Sequence, residues 1–497
     1  MPKYDIVIIG SGLGGLLCGA ILSKEGKSVC ILEKHHQFGG NLQTFKRDGK
    51  IFDTGFHYIG GLNKGQNLYQ YFNYVGIIDN LKLERLNPDC FDKIGFNNQE
   101  YSFAQGFDNF IESLLHKFPS EKNALASYKS KIKEVCGHFP LYNLQIPNNL
   151  TSEQQYLETS IGDFLASITT NKVLQHLLAG NNMLYAGSPE KTSLGIHALI
   201  ENSFIEGGAY RFVDGSSQMT DLLVNIIKKN GGVLKKNSEV INFIIKNDQL
   251  CTAHLKNGEQ IEGQQFISAI SPYATLKMID SGLIRKPYRD RINELEETIS
   301  SFILYVSFKP DSFNYLNYNY YHHNQNSVWT INEYNPDKWP QNYLFLTPPS
   351  AVSKEYAQTA TALTYMRFDE LNAWENTKTG RRGLDYEEFK QQKAEKLILE
   401  IDKKFPGFKN SIKNYYTSTP LTYRDYTGTR FGSLYGIEHD CRNTLKTSIL
   451  VRTKIPNLLF TGQNINLHGA LGVTVGSVMT CSEIIGTDYL LQKINNA

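Results

Sequence analysis

Tyr4-Asp5-Ile6-Val7-Ile8-Ile9-Gly10-Ser11-Gly12-Leu13-Gly14-Gly15 is the stretch on which the fold of this chain turns. The β-branched run up to Ile9 is what a strand buried on both faces requires. Gly10, Gly12 and Gly15 follow in G-x-G-x-x-G spacing, Leu16 to Glu25 has helical composition, Gly26 can end that helix, and Ser28 to Leu32 reads as a second strand closing on Glu33. A βαβ unit of this kind binds the pyrophosphate of a dinucleotide. Gly10 permits the tight turn, Gly12 lets phosphate approach the backbone, and Gly15 lets helix and strand pack closely. Leu13 and Gly14 lie where the helix begins, and free N–H groups and the helix dipole there favour phosphate. Glu33, 23 residues after Gly10, is placed for a ribose diol, with Lys34 beside it. The competing reading is a glycine-rich loop that binds nothing.

Working outward, Phe38-Gly39-Gly40-Asn41 comes a few residues past the acid. That continuation is usual in flavoproteins rather than in nicotinamide dehydrogenases, so FAD is the expected cofactor. A second block holds Gly215-Ser216-Ser217, a helix over 219–229, the turn Asn230-Gly231-Gly232, and strands near 233–234, 240–245, 252–256 and 265–269. Asn257-Gly258 is a hairpin turn signal. This block is expected to return to the cofactor sheet, with Val240 at the cofactor; an independent αβ domain is the alternative. A third stretch is a strand over 455–460 running into Thr461-Gly462-Gln463-Asn464, then a second glycine-rich helix start from His468 through Gly469, Gly472, Val473, Thr474 and Gly476. Amides at such a start can face a flavin ring and stabilise negative charge on it. Close packing of a glycine-rich helix on a sheet explains the same residues without a ligand. Gly60-Gly61 and Gly65 have the wrong spacing for a second dinucleotide unit, so no bound nicotinamide partner is encoded.

Composition narrows the partners. The formal net charge is +2 and Lys/Arg runs are lacking, which argues against nucleic acid. Aromatic residues at 12% suit a protein that encloses something apolar. Seven scattered cysteines without a C-x-x-C pair indicate a reduced, cytoplasmic setting and no zinc site. Ile6 to Leu22 is mostly apolar, but its five glycines and the lack of a basic lead mark a folded unit rather than a signal peptide. Without an 18-residue apolar window, membrane contact is expected to be peripheral. Asn149-Leu150-Thr151 matches a glycosylation acceptor by chance, and His35-His36 and His322-His323 read as surface pairs.

The expected architecture is α/β: a Rossmann-like FAD-binding domain of the glutathione-reductase type from 1–65, 205–275 and 440–497, interleaved with an α+β substrate domain from 66–204 and 276–439. In the latter, Ile111, Leu114, Leu115 and Phe118, and Ile161, Phe164, Leu165 and Ile168, recur at helical spacing, with Ser160-x-x-Asp163 as a capping box. These helices are expected to face the core. Phe313 to Tyr343 reads as strands and turns.

Several segments together resemble the phytoene desaturase-like FAD oxidoreductases, and within them the branch of retinol saturases and carotenoid isomerases. They are Gly10 to Gly15, Phe38-Gly39-Gly40, Phe52-Asp53-Thr54-Gly55-Phe56-His57-Tyr58-Ile59-Gly60, Gly207-Gly208-Ala209-Tyr210, Gly215-Ser216-Ser217, Tyr435-Gly436 with His439-Asp440, and Ile455 through Gly476. The resemblance spans nearly the whole chain, and the D-T-G-x-H-Y-x-G segment is its narrowest element. Two positions depart from relatives: Asn41 stands where many carry arginine, and Asn464 where the branch commonly has aspartate.

The resemblance implies a hydrophobic polyene or isoprenoid substrate in a tunnel over the flavin, with hydride exchange at flavin N5 and a proton moved one bond away. Reduction is slightly preferred over desaturation or isomerisation, and the electron donor or acceptor is a diffusing molecule or another protein. His57, Tyr58 and His468 are the candidate catalytic groups, histidine being the side chain best poised for proton transfer near neutral pH. Each has a plainer reading: a pocket-shaping histidine, a core tyrosine, a backbone-bonded imidazole. Tyr435 is expected to line the tunnel. His439-Asp440-Cys441 is not read as a triad, because triads assemble in space rather than by adjacency. Two further readings stay open, a flavin amine oxidase and a lipid escort protein that does no redox work; Glu33, Gly39-Gly40 and the C-terminal glycines argue against the second.

Overall fold

The computed structural model describes residues 3–96, 98–146, 151–324, 326–465 and 467–497. Asn149 and Leu150 of the glycosylation-like triplet lie outside the described residues.

The first strand, Lys3–Ile9, runs parallel to Val29–Leu32 on one side and Gln260–Ser268 on the other. Ile6 to Ile9 and all of Val29–Leu32 are buried, as a sheet covered on both faces demands. Val233–Lys235 extends the sheet beyond Val29–Leu32. The nine-residue strand Gln260–Ser268 serves two neighbours along its far edge: its first half pairs antiparallel with Gln249–Leu255, and its second half parallel with Leu458–Phe460. Val240–Lys246 completes the hairpin. The block 215–269 and the C-terminal stretch therefore join the sheet begun by Lys3–Ile9, and the independent-domain alternative falls. Helix Leu13–Lys24 starts three residues earlier than its composition suggested, directly off Gly12.

A second seven-stranded sheet runs in the order 412–418, 300–308, 359–366, 342–346, 319–323, 92–96, 99–103. Its central strands Ser300–Phe308, Asn342–Leu346 and Thr359–Met366 are buried at every position, because separate hydrophobic clusters cover its two faces. His323 is consequently buried and His322 half-buried on the strand Asn319–His323, which corrects the surface reading of that pair. His323 bonds the Gly180 carbonyl at 2.7 Å, and the His322 ring stacks on Tyr343. Period-two alternation on a strand covered on both faces sends adjacent side chains into two interiors.

Helix Phe107–Leu115 ends before Phe118, and Ile161–Ile168 is capped by Ser160 Oγ, which accepts from the Asp163 amide at 3.0 Å. Phe110, Leu114, Phe164 and Leu165 enter the second cluster, as core-facing helices should. Helix Asn67–Val75 and residues Ile279, Ile284, Ile292 and Leu295 pack with the first sheet, whereas Phe52, Tyr58 and Ala209 pack with the second. No described helix is long and apolar enough to cross a membrane, and all seven cysteines are free.

Candidate active site

The glycines of the first loop do different work. Gly10 takes φ +95°, and Gly15 is so close to the turn that a Cβ would lie 2.1 Å from the Gly10 carbonyl oxygen and 3.1 Å from Ala269 Cβ. A Cβ on Gly12 would meet nothing within 4 Å. It would enter the open groove that the loop borders. Gly10, Gly12, Leu13, Gly14, Glu33, Lys34, Gly39, Gly40, Asn41, Val240, Gly462, Gln463, Asn464 and Val473 all line this groove. Three predicted cofactor residues do not. Gly15 packs helix on strand; Gly472 lies where a Cβ would be 2.3 Å from Leu467 Cβ; Thr474 turns its hydroxyl onto the Ala470 carbonyl.

The groove fits a dinucleotide on its own terms. Helices Leu13–Lys24 and Gly469–Ile485 both begin there, and among the described residues neither has a side chain capping its first amides. Those amides are free for an anion. Glu33 ends the second strand with one carboxylate oxygen accepting from Ser11 N and Oγ, at 3.0 and 2.6 Å, and the other from His35 N. That is the position of a ribose-binding acid. Gly39 and Gly40 adopt φ of +119° and +56°, and a Cβ on Gly40 would sit 3.0 Å from Gly12 Cα, so the two glycine loops touch. Asn464 Oδ1 accepts from the Ile437 amide at 3.1 Å, a service that aspartate in relatives could equally perform. His35 is only half-buried against Tyr426, whose carbonyl its Nε2 meets at 2.7 Å, so of that pair His36 alone is solvated.

A second cavity adjoins the groove. The two share Asn41, Gly55, Phe56, Leu434, Tyr435 and Gly469. His57, Tyr58, Tyr435 and His468, named from distant parts of the sequence, all line it, and among the described residues no Asp, Glu, Lys or Arg does. Its walls come from Ile59, Leu68, Ile200, Phe204, Leu344, Leu363 and Leu471 among others.

The polar groups on this wall are mostly spoken for. Tyr435 donates to the Met183 carbonyl at 2.8 Å and packs against the His468 ring, tilted by 41° with centroids 4.4 Å apart. His468 bonds the Leu184 carbonyl at 3.3 Å, and burial holds it to about 4, so it is neutral at pH 7. The Tyr58 hydroxyl is 3.1 Å from Asp92 and 2.5 Å from Tyr321, neither of which lines the cavity. His57 differs: both ring nitrogens are sealed from water with no partner. Burial, and then the charge of Arg211, hold it to about 4. His439, Asp440 and Cys441 turn to separate surroundings and form no triad: Cys441 bonds the Glu190 carbonyl, Asp440 accepts from Arg442 and Asn443, and His439 Nε2 is unpartnered.

Sequence reasoning missed what pins this region. Asp53 is buried and accepts from Ser216 N and Oγ at 2.7 and 2.6 Å, and the hydroxyls of Tyr305 and Tyr423 both donate to the Thr54 carbonyl. The narrow D-T-G segment is thus the clamp that carries Gly55, Phe56 and His57 to the junction of groove and cavity. Its co-occurrence with Gly215-Ser216 was the available signal.

A family model described as flavin containing amine oxidoreductase matches residues 13–477. The chain belongs to that family. Over 97% of its length it is 27% identical to the all-trans-retinol 13,14-reductase of Rattus norvegicus, covering 86% of that protein. It is 23% identical over 99% of its length to the chloroplastic prolycopene isomerase of Daucus carota, covering 81% of it. Among solved structures, the cyclohexylamine oxidase of Brevibacterium oxydans superposes with a TM-score of 0.62 at 13% identity, covering 99% of this chain and 100% of that one. The family member is an FAD-dependent oxidoreductase on the branch of retinol reductases and carotenoid isomerases.

Proposed function

We propose that this enzyme acts on a C=C or CH–CH bond of a hydrophobic polyene or isoprenoid, with reduction of an alkene, as in its retinol-reductase relatives, the preferred direction. One observation carries the reading: among the described residues, the cavity that adjoins the cofactor groove is lined by no Asp, Glu, Lys or Arg. An ammonium substrate would enter without a countercharge, at a desolvation cost that an apolar chain avoids. Bound FAD supplies two-electron chemistry at a substrate carbon. The chain contributes the rest. Its walls exclude water and hold an extended apolar substrate across Asn41, Gly55 and Phe56. Tyr435 and His468 form a rigid aromatic side, each tied to a backbone carbonyl. His57 presents a neutral imidazole, a donor and acceptor rather than a strong acid.

Redox-neutral isomerisation is the second reading, favoured by the similarity to prolycopene isomerases. A diffusing or protein electron donor, and contact with a membrane surface that delivers an insoluble substrate, belong to the same proposal. The test is anaerobic. The reduced enzyme is mixed with a panel of polyenes and the oxidised enzyme with a panel of amines, following flavin absorbance and product mass. Reoxidation with a product two hydrogens heavier supports reduction, an unchanged mass with altered geometry supports isomerisation, and flavin reduction by amines alone overturns both.

A further inference from the structure

Leu445 is 90% exposed and Leu450 74% exposed, on the segment that precedes the strand Leu458–Phe460. The chain around them is fastened. Ile449 and Val451 are buried in the core of the first sheet, so Leu450 between them is turned outward. Arg291, on the helix Lys286–Glu294, donates to the Lys446 and Ser448 carbonyls at 2.6 and 3.0 Å. The Asp440 amide donates to Thr447 Oγ1 at 3.2 Å, and the Asp440 carboxylate accepts from the Arg442 amide and from Asn443 Nδ2, both at 2.9 Å. Two large apolar side chains are thus held out in water by a built loop, a cost that a partner surface removes.

The leucines stand among cations. Arg442, Lys446 and Lys454 are exposed and form no ion pair among the described residues, whereas Arg452 is paired with Glu483. The nearby acids are engaged: Asp440 within its own turn, Glu296 and Glu438 with Lys191 at 2.8 and 2.7 Å. Arg442 also lines a cleft together with Phe431, Glu438 and Ile299. That cleft backs onto the wall of the apolar cavity. Ala186 and Ser188 line the cleft where Met183 and Leu184 line the cavity, and the amide of Leu434, on the cavity side, donates to the carbonyl of Ile299, on the cleft side, at 3.2 Å.

We infer that the segment 440–454 is the surface by which this protein docks on an anionic lipid bilayer, Leu445 and Leu450 entering the acyl boundary while Arg442, Lys446 and Lys454 meet the headgroups. Charge decides the occupant. In a two-fold contact between copies of this chain, the same three cations would face one another across the interface. Two leucines also fall far short of the roughly 800 Å² per partner that a stable pair of proteins buries. An anionic bilayer takes both the apolar side chains and the cations, and such a pairing of shallow insertion with electrostatic attraction suits reversible binding. Docking here sets the chain that walls the cavity beside the phase in which a water-insoluble substrate is dissolved. The inference deepens the proposed function and rests on it for the purpose of docking; the docking itself rests on this surface.

Cosedimentation of the FAD-loaded protein with vesicles of phosphatidylcholine, or of phosphatidylcholine with about 30% phosphatidylglycerol, tests it. The wild type is expected to pellet with the anionic vesicles, far less with the neutral ones, and less again as salt is raised. Leu445→Ser combined with Leu450→Ser should weaken binding by about tenfold or more. Lys446→Glu combined with Lys454→Glu should do the same. Neither pair lines the groove or the cavity, so flavin absorbance and turnover of a detergent-dissolved polyene should be unchanged in both. Binding to neither vesicle, equal binding to both, or a leucine variant that binds like the wild type overturns the inference. Sedimentation equilibrium without vesicles reads the other occupant: a wild-type dimer that the leucine substitutions make monomeric gives the surface to a second copy and overturns the bilayer. A protein that binds anionic vesicles through these residues and turns over no polyene keeps the docking surface and removes the proposed function.

Discussion

A Cβ on Gly15 would lie 2.1 Å from the carbonyl oxygen of Gly10. The first helix can leave the turn only because residue 15 has no side chain. Gly15→Ala is therefore expected to destabilise the fold by at least the ~1–3 kcal/mol typical of overpacking, read as a lower denaturation midpoint. Gly12→Ala, whose methyl enters open groove, should fold normally and lose flavin. Equal stability loss in the two variants would contradict this division of labour.

Glu33 accepts three hydrogen bonds at the end of the second strand. Glu33→Gln keeps the shape but weakens acceptance from Ser11 and from a ribose. Flavin retention on gel filtration should fall, with little change in secondary structure by circular dichroism. Full retention would move the ribose elsewhere.

His57 carries two partnerless nitrogens beside the cavity. His57→Phe fills similar space without them, so the flavin spectrum should persist while turnover of a polyene falls. Near-normal turnover would leave His57 as a wall residue.

Stability should peak near neutrality. His57, His197, His323, His439 and His468 are all held well below the usual imidazole value by burial. Below about pH 6.5 the unfolded chain takes up protons there that the folded chain refuses, so stability falls with acid, by up to about 1.4 kcal/mol per pH unit for each group. Buried Asp53, Asp92 and Glu201 are raised to about 6, 7 and 8 and oppose this from the other side. They hold protons in the fold that the unfolded chain has released, and lose that stability as pH rises. With five groups against three, the maximum is expected at about pH 6.5 to 7. Denaturant midpoints measured from about pH 5 to about pH 8.5 check it, and a monotonic trend would show that these groups are not buried in these states.

The cofactor half of this protein was legible because its chemistry is local. Gly10, Gly12, Gly39, Gly40 and Glu33 announce themselves through spacing within forty residues. Gly472 misled because a glycine that admits a ligand and a glycine that admits a neighbouring residue look alike in sequence, and Thr474 because nothing local shows that its hydroxyl turns onto the Ala470 carbonyl. The pair His322-His323 misled for a related reason: polarity says nothing about how many faces of a strand are covered. Asp92, Glu201 and Arg211 were passed over entirely, since each is an ordinary charged residue until three distant segments seal it from water.

By itself the sequence determined the parallel βαβ start and the glycine loops of the flavin groove, features set by backbone geometry that only glycine allows, while His57, Tyr58, Tyr435 and His468 became candidates through the family resemblance. Tertiary structure alone decided which of those side chains keep free polar atoms, that the cavity wall bears no charge, and that Asp92 and Glu201 lie sealed from water. Those properties depend on what surrounds an atom rather than on what precedes it in the chain, and desolvation has no signature in local sequence.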